Sequence, residues 1–104
     1  VIVDIRTYTL VPRKVSTYLD LFERFGLPVM QAHGMHLIGY FTSVIGPLNQ
    51  VVHLWRYESL AEMEAVRARR DADPAWSEFL TKTEGLVASQ DNRVMKPAAF
   101  SPEL

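Results

Sequence analysis

Two short runs of this chain carry most of the side chains that could do chemistry. Asp4, Arg6 and Tyr8 alternate along the first, and His53, Trp55 and Tyr57 along the second. In a strand, residues two apart point to one face. If the two strands are neighbours, an aspartate, an arginine, a histidine and three aromatics share one surface. Such a surface can wall a pocket that is mostly apolar with a few convergent polar groups. His53 is then the candidate general base or hydrogen-bond donor. Arg67, placed by helical spacing with Leu60 and Met63, is the candidate stabiliser of developing negative charge, because a guanidinium keeps its charge and offers several fixed donors. Tyr40 and Trp76 complete the aromatic set. Asn49, just after Gly46-Pro47, is a candidate polar contact at the strand mouth, although asparagine equally suits a turn.

A plainer account covers the same residues. Asp4 and Arg6 can form a buried ion pair, Trp55 and Tyr57 can fill core, and the stem of Arg67 can pack while its head reaches water. A cleft beside these residues would favour binding. Mutual pairing without a cleft would favour a structural role.

Other chemistries find no support. The chain has no cysteine, which removes disulfides and thiolate catalysis. His33 and His36 are three apart but straddle Gly34 and have no nearby carboxylate, so neither a metal nor a cofactor is expected. No phosphate-binding glycine loop or nucleophile elbow occurs. With 11 Lys and Arg against 12 Asp and Glu, no basic face is available for nucleic acid. The Arg67–Arg70 run reads as a helix surface. No apolar run approaches membrane-spanning length. Cytoplasmic is the default location, with a leader before Val1 left open.

The elements that must position these residues follow from periodicity. At 104 residues and 48% hydrophobic content, one domain with one core is expected. Residues 1–10 alternate as a first strand, stopped by Val11-Pro12. Val15, Tyr18, Leu19, Phe22 and Phe25 recur at helical spacing. Gly26 is expected to stop that helix and Pro28 to restart it. His36–Ser43 forms a second strand, with Ile38 and Tyr40 on one face and Leu37, Gly39 and Phe41 on the other. Asn49–Tyr57 pairs with it as an antiparallel hairpin. Ser59 and Glu62 match a capping box opening a helix with a Leu60, Met63, Arg67 stripe. Asp73-Pro74 opens another, with Trp76, Phe79, Leu80 and Thr83 inward. Val87–Lys96 supplies a last strand.

The resulting order, β-α-β-β-α(α)-β, is that of a ferredoxin-like α+β subunit with a four-stranded antiparallel sheet. Its helices cover one sheet face only. Both faces of the first and third strands carry residues unsuited to bulk water, so a homodimer with sheets packed face to face is expected. Two orientations stay open: the polar-aromatic face points at the partner sheet, with Val3, Ile5, Val52 and Leu54 beneath the helices, or it lies under the chain's own helices and leaves those aliphatics for the partner, the arrangement favoured.

The ordered set Asp4-Ile5-Arg6-Thr7-Tyr8, His33-Gly34, Leu37-Ile38-Gly39-Tyr40-Phe41, Gly46-Pro47-Leu48-Asn49, Val52–Tyr57, Arg67, Asp73-Pro74-Ala75-Trp76 and Phe100-Ser101-Pro102 resembles the NIPSNAP family. Asp4 stands where that family usually has glutamate. The resemblance implies a dimeric α+β barrel over residues 1–104. The same architecture houses cofactor-independent monooxygenases, haem-handling enzymes and small isomerases, and animal members are discussed as interaction proteins. Two function classes therefore stay open. One is a small-molecule-binding protein, extending to a cofactor-independent oxygenase or isomerase. The other is a non-catalytic interaction module whose polar residues stabilise the dimer.

Overall fold

The computed structural model describes residues 1–104. Four antiparallel strands, β1 (Ile2–Leu10), β2 (His36–Thr42), β3 (Gln50–Tyr57) and β4 (Val87–Met95), lie in the order β2-β3-β1-β4. Between β1 and β2 run α1 (Val15–Leu21), a π-helical turn (Phe22–Gly26) and α2 (Leu27–Ala32). Between β3 and β4 lie α3 (Leu60–Asp71) and α4 (Pro74–Lys82). The α+β ferredoxin-like fold expected from the sequence is the fold observed.

Register explains which face carries what. Asp4 is opposite Trp55, Arg6 opposite His53 and Tyr8 opposite Val51. Both trios therefore share the helix-covered face, and β3 alternates strictly, with Val51, His53, Trp55 and Tyr57 buried. Tyr18, Phe22, Val29, Met30, Met63, Val66, Trp76 and Phe79 descend on them from the helices. Phe22 joins the layers, its ring 5.0 Å from Tyr40 and 5.9 Å from Phe79.

Three local expectations need correction. Gly26 does not stop the first helix: it sits at φ −85° inside a continuous helical run from Val15 to Ala32. Pro28 has no amide hydrogen, and its ring crowds the carbonyl four residues back. The run absorbs this by widening into the π turn immediately before it. Gly26 is needed for another reason, since a Cβ there would lie 2.9 Å from the Phe79 ring.

Leu37 and Tyr40 do not take opposite faces. A bulge between Leu37 and Gly39 inserts one residue, so Leu37 pairs with Trp55 and Tyr40 with His53. One extra residue inverts the alternation, and both side chains pack against the helix-side core.

The inward stripe of α3 is Met63 and Val66 with Arg70 partly covered, while Leu60 is 56% exposed. Leu80 of α4 is likewise half exposed, and Trp76, Phe79 and Thr83 face in. The apolar arc of each helix is narrower than its hydrophobic residues suggest, because only the arc over β1 and β3 meets the sheet.

Helix ends fix the α3–α4 corner. Ser59 Oγ accepts from the Glu62 amide at 3.1 Å, and the Glu62 carboxylate accepts from the Glu58 amide. Asp73 uses both oxygens: one accepts from the Ala75 amide at 2.9 Å, the other lies 2.9 Å from His33 Nε2. That second bond ties the start of α4 to the end of α2.

Candidate functional site

The expected site residues divide into a buried layer and two clefts. In the buried layer, Trp55 Nε1–H donates to His53 Nδ1 at 2.7 Å. The acceptor role places the ring proton on Nε2, and that N–H has no partner. Tyr40 stacks on the imidazole at 4.5 Å and Tyr8 meets it edge-on at 4.7 Å. His53 is 1% exposed. Burial, with the Arg6 cation adding to it, lowers its pKa from 6.5 to about 3. It is a neutral, weakly basic ring lining neither cleft.

Asp4, at 1% exposure, accepts from Arg6 Nη1 at 3.1 Å, and its other oxygen from Asn92 Nδ2 at 3.4 Å. Arg6 Nε also donates to the Tyr8 hydroxyl at 3.0 Å. Burial pulls the guanidinium's pKa down, but Tyr8 and Asp4 more than compensate and leave it raised. The short acid at position 4 suits this pairing two residues along one strand. Tyr57 lies near Asp4, Arg6, Arg67 and Arg70; burial first, then Asp4, pushes its hydroxyl up to about 12. Tyr40 is raised above the ordinary tyrosine value by burial and by the neighbouring Tyr18 and Tyr8.

The first cleft, about 290 Å³, opens beside β2 and is walled by Leu19, Phe22, Leu27, Leu37 and Tyr40, with Glu23 and Thr42 at its margin. It is apolar, and Tyr40 is its one expected site residue.

The second cleft, about 390 Å³, lies between α3, α4 and the β1–β4 side of the sheet. Arg6, Tyr8, Arg67 and Trp76 all line it. Here the structure assembles four of the expected residues, from one strand and two helices. It adds Arg70, Asp71 and Gln90, which sequence reasoning missed. In the sequence Arg70 belongs to a run that reads as a helix surface. The legible signal was its spacing of three and seven residues from Arg67 and Met63, which puts it on their side of the helix. Its guanidinium covers the Trp76 ring at 4.5 Å and its Nη2 contacts Asp71 at 2.9 Å.

Charge is unevenly matched in this cleft. Arg6 pairs with Asp4 and Arg70 with Asp71, while Arg67 has no carboxylate partner. Three cations against two anions leave a net positive site, suited to an anion or an oxyanion. Asn49 belongs to neither cleft; its carbonyl accepts from the Leu10 amide at 2.8 Å, a structural bond at the end of β3. Nowhere do three His, Asp or Glu side chains converge as a metal site would require.

Comparison with known proteins places this geometry. The NIPSNAP family profile matches residues 3–102. Human NipSnap homolog 3A is 31% identical over 93 residues, covering 88% of this chain and 37% of that protein. A Dictyostelium discoideum NipSnap homolog is 35% identical over 95 residues, covering 90% of this chain and 41% of its own length. The chain thus spans well under half of the curated relatives it matches. Among solved structures, a NIPSNAP family protein with unknown function from Agrobacterium tumefaciens superposes with a TM-score of 0.93 at 42% identity, covering 97% of this chain and 91% of that one. A Nitrosomonas europaea chain provisionally assigned as an antibiotic biosynthesis monooxygenase superposes at 0.70 with 10% identity, covering 93% of this chain and 98% of its own. That likeness is one of fold.

Proposed function

The chain belongs to the NIPSNAP family, and from that premise we propose that it binds a small organic molecule in the arginine-lined cleft. The observation that carries the proposal is the cleft itself: about 390 Å³, with Arg6 and Arg67 facing a space also bounded by Tyr8 and Trp76. Its size falls in the range of ligand pockets, and it combines ring surfaces with few, fixed polar groups. The second part of the proposal is that the chain works as a homodimer, joined through the sheet face opposite the helices. Ile5, Val52 and Leu54 supply partly open apolar surface there, while Val3 is already buried within the chain. The cleft, on the helix side, stays open in that arrangement.

The interaction-module alternative required the polar residues to lock the dimer. Asp4, Arg6, His53 and Trp55 bond among themselves on the helix-covered face, away from the outer face, so binding is the better account of them. The proposal stops short of an oxygenase or isomerase. Arg67 could stabilise an enolate or phenolate oxygen, but the expected base, His53, is sealed from the cleft and protonates only near pH 3.

Thermal unfolding against a panel of small carbonyl compounds, phenols and acids tests the reading. Ligand at about a hundred times its Kd adds roughly 2.7 kcal/mol of stability, a readily measured rise in Tm. At least one compound should stabilise the native chain and lose its effect in Ser77→Trp, where a large ring fills the cleft from its exposed margin. Equal shifts in both proteins would move the ligand elsewhere, and no shift with any compound would overturn the proposal.

A further inference from the structure

The chemistry of the arginine cleft narrows the class of molecule it would hold. We propose that its ligand is a planar organic anion bearing one carboxylate, an inference that rests on reading the cleft as a small-molecule site.

Charge sets the number of carboxylates. Two of the three guanidiniums already have a carboxylate in contact, Arg6 with Asp4 at 3.1 Å and Arg70 with Asp71 at 2.9 Å. Arg67 alone has none, although the same cleft holds its side chain half-buried. One cation over favours a monoanion. A phosphate monoester, closer to two negative charges at neutral pH, would bring excess charge near Asp4 and Asp71.

Geometry sets the headgroup. A carboxylate presents two coplanar oxygens that a guanidinium can hold with two parallel N–H donors. Gln90, on the helix-side face of β4 opposite Tyr8, adds a neutral amide at the rim. Flatness sets the body. Arg6 lies over the Tyr8 ring at 5.6 Å and Arg70 over Trp76 at 4.5 Å. Both rings are buried beneath their cations, so the guanidinium planes are the flat surfaces that the cleft offers a conjugated body. An aliphatic chain would gain no such contact.

Four probes of one ring system separate the features: 1-naphthoate, 1-naphthamide, 1-naphthol and 1-naphthyl phosphate, titrated calorimetrically into the native chain and into Arg67→Gln. Arg67 is partly buried but unpaired, so the variant should fold, with far-UV circular dichroism as the control. Naphthoate should bind at least about tenfold tighter than the amide or the naphthol, the increment expected of a charge-assisted pair. Arg67→Gln should erase that difference. Equal binding of naphthoate and naphthamide, or an undiminished naphthoate preference in Arg67→Gln, would overturn the carboxylate assignment while leaving the small-molecule site standing. Tighter binding of the phosphate would overturn the single-charge assignment. Failure of all four probes would overturn this inference alone if the wider panel still yields a cleft ligand, and both proposals if it does not.

Discussion

Taking an imidazole out of water penalises its charged form, and His53 shows the consequence. Its folded pKa lies near 3 against 6.5 in water. Between those values the unfolded chain binds a proton that the folded chain refuses, so unfolding free energy rises with pH across that window. The contribution is complete above about pH 6.5 and is lost progressively as the pH falls toward 3. Each pH unit inside the window is worth about 1.4 kcal/mol. Denaturant unfolding at pH 7 and pH 5 should therefore show a drop about 2 kcal/mol smaller in His53→Gln than in the native chain, whatever the variant's absolute stability. An identical drop in both would mean that His53 is not held neutral. The same burial puts the residue that looks most catalytic in sequence among the least accessible. Its ring is fixed by Trp55 on one nitrogen and by stacking on Tyr40, and it supports the floor beneath Arg6 and Tyr8.

At the scale of elements, the long helical run over the sheet decides how closely α4 can approach. Gly26 gives Phe79 its place, with a built Cβ only 2.9 Å from one ring carbon and 3.0 Å from Phe22. Alanine would gain about 1 kcal/mol from helix propensity at a residue of ordinary helical φ and ψ. Overpacking two ring contacts in a filled core costs about 1–3 kcal/mol. The second effect should win, so Gly26→Ala is expected to lower stability by about 1 kcal/mol in urea unfolding. Adding Phe79→Leu should recover part of that loss, because it removes the obstructing ring edge. A stabilised single variant would show that the helix can shift to make room. The corner between α3 and α4 positions the cleft just as directly. Asp73 caps α4 and holds His33, which keeps Trp76 under Arg70. Sequence reading found the caps because capping is local, and missed the bulge at Ile38 because a bulge is set by what lies opposite.

For the whole molecule, one layer of helices can cover one sheet face, and the outer face is where the proposed dimer would form. Ile5 and Leu54 are directly opposite one another on it, while Phe41 and Met95 are more than half exposed. The β4 edge carries Gln90, Asp91, Asn92 and Arg93, a polar run that discourages edge pairing. The face, not the β4 edge, is thus the expected contact. Leu54→Lys should convert a dimer into a monomer in light scattering at micromolar concentration, with circular dichroism unchanged. A native chain that is already monomeric there would sink the dimer proposal. No helix is long and apolar enough to cross a membrane.

The sequence by itself determined the element order, the caps, the shared face of Asp4, Arg6, Tyr8, His53, Trp55 and Tyr57, and the family. These rest on local periodicity and on residue types, which a linear string contains. Only the tertiary structure decided that His53 is sealed, that Asn49 lies outside both clefts, and that Arg70 and Gln90 join Arg6 and Arg67 around one cleft. Burial and charge balance depend on which helix lies over which strand and at what distance. Helical spacing singles out Arg67 in the sequence, but only packing shows that Arg6 and Arg70 beside it have carboxylate partners and that it has none.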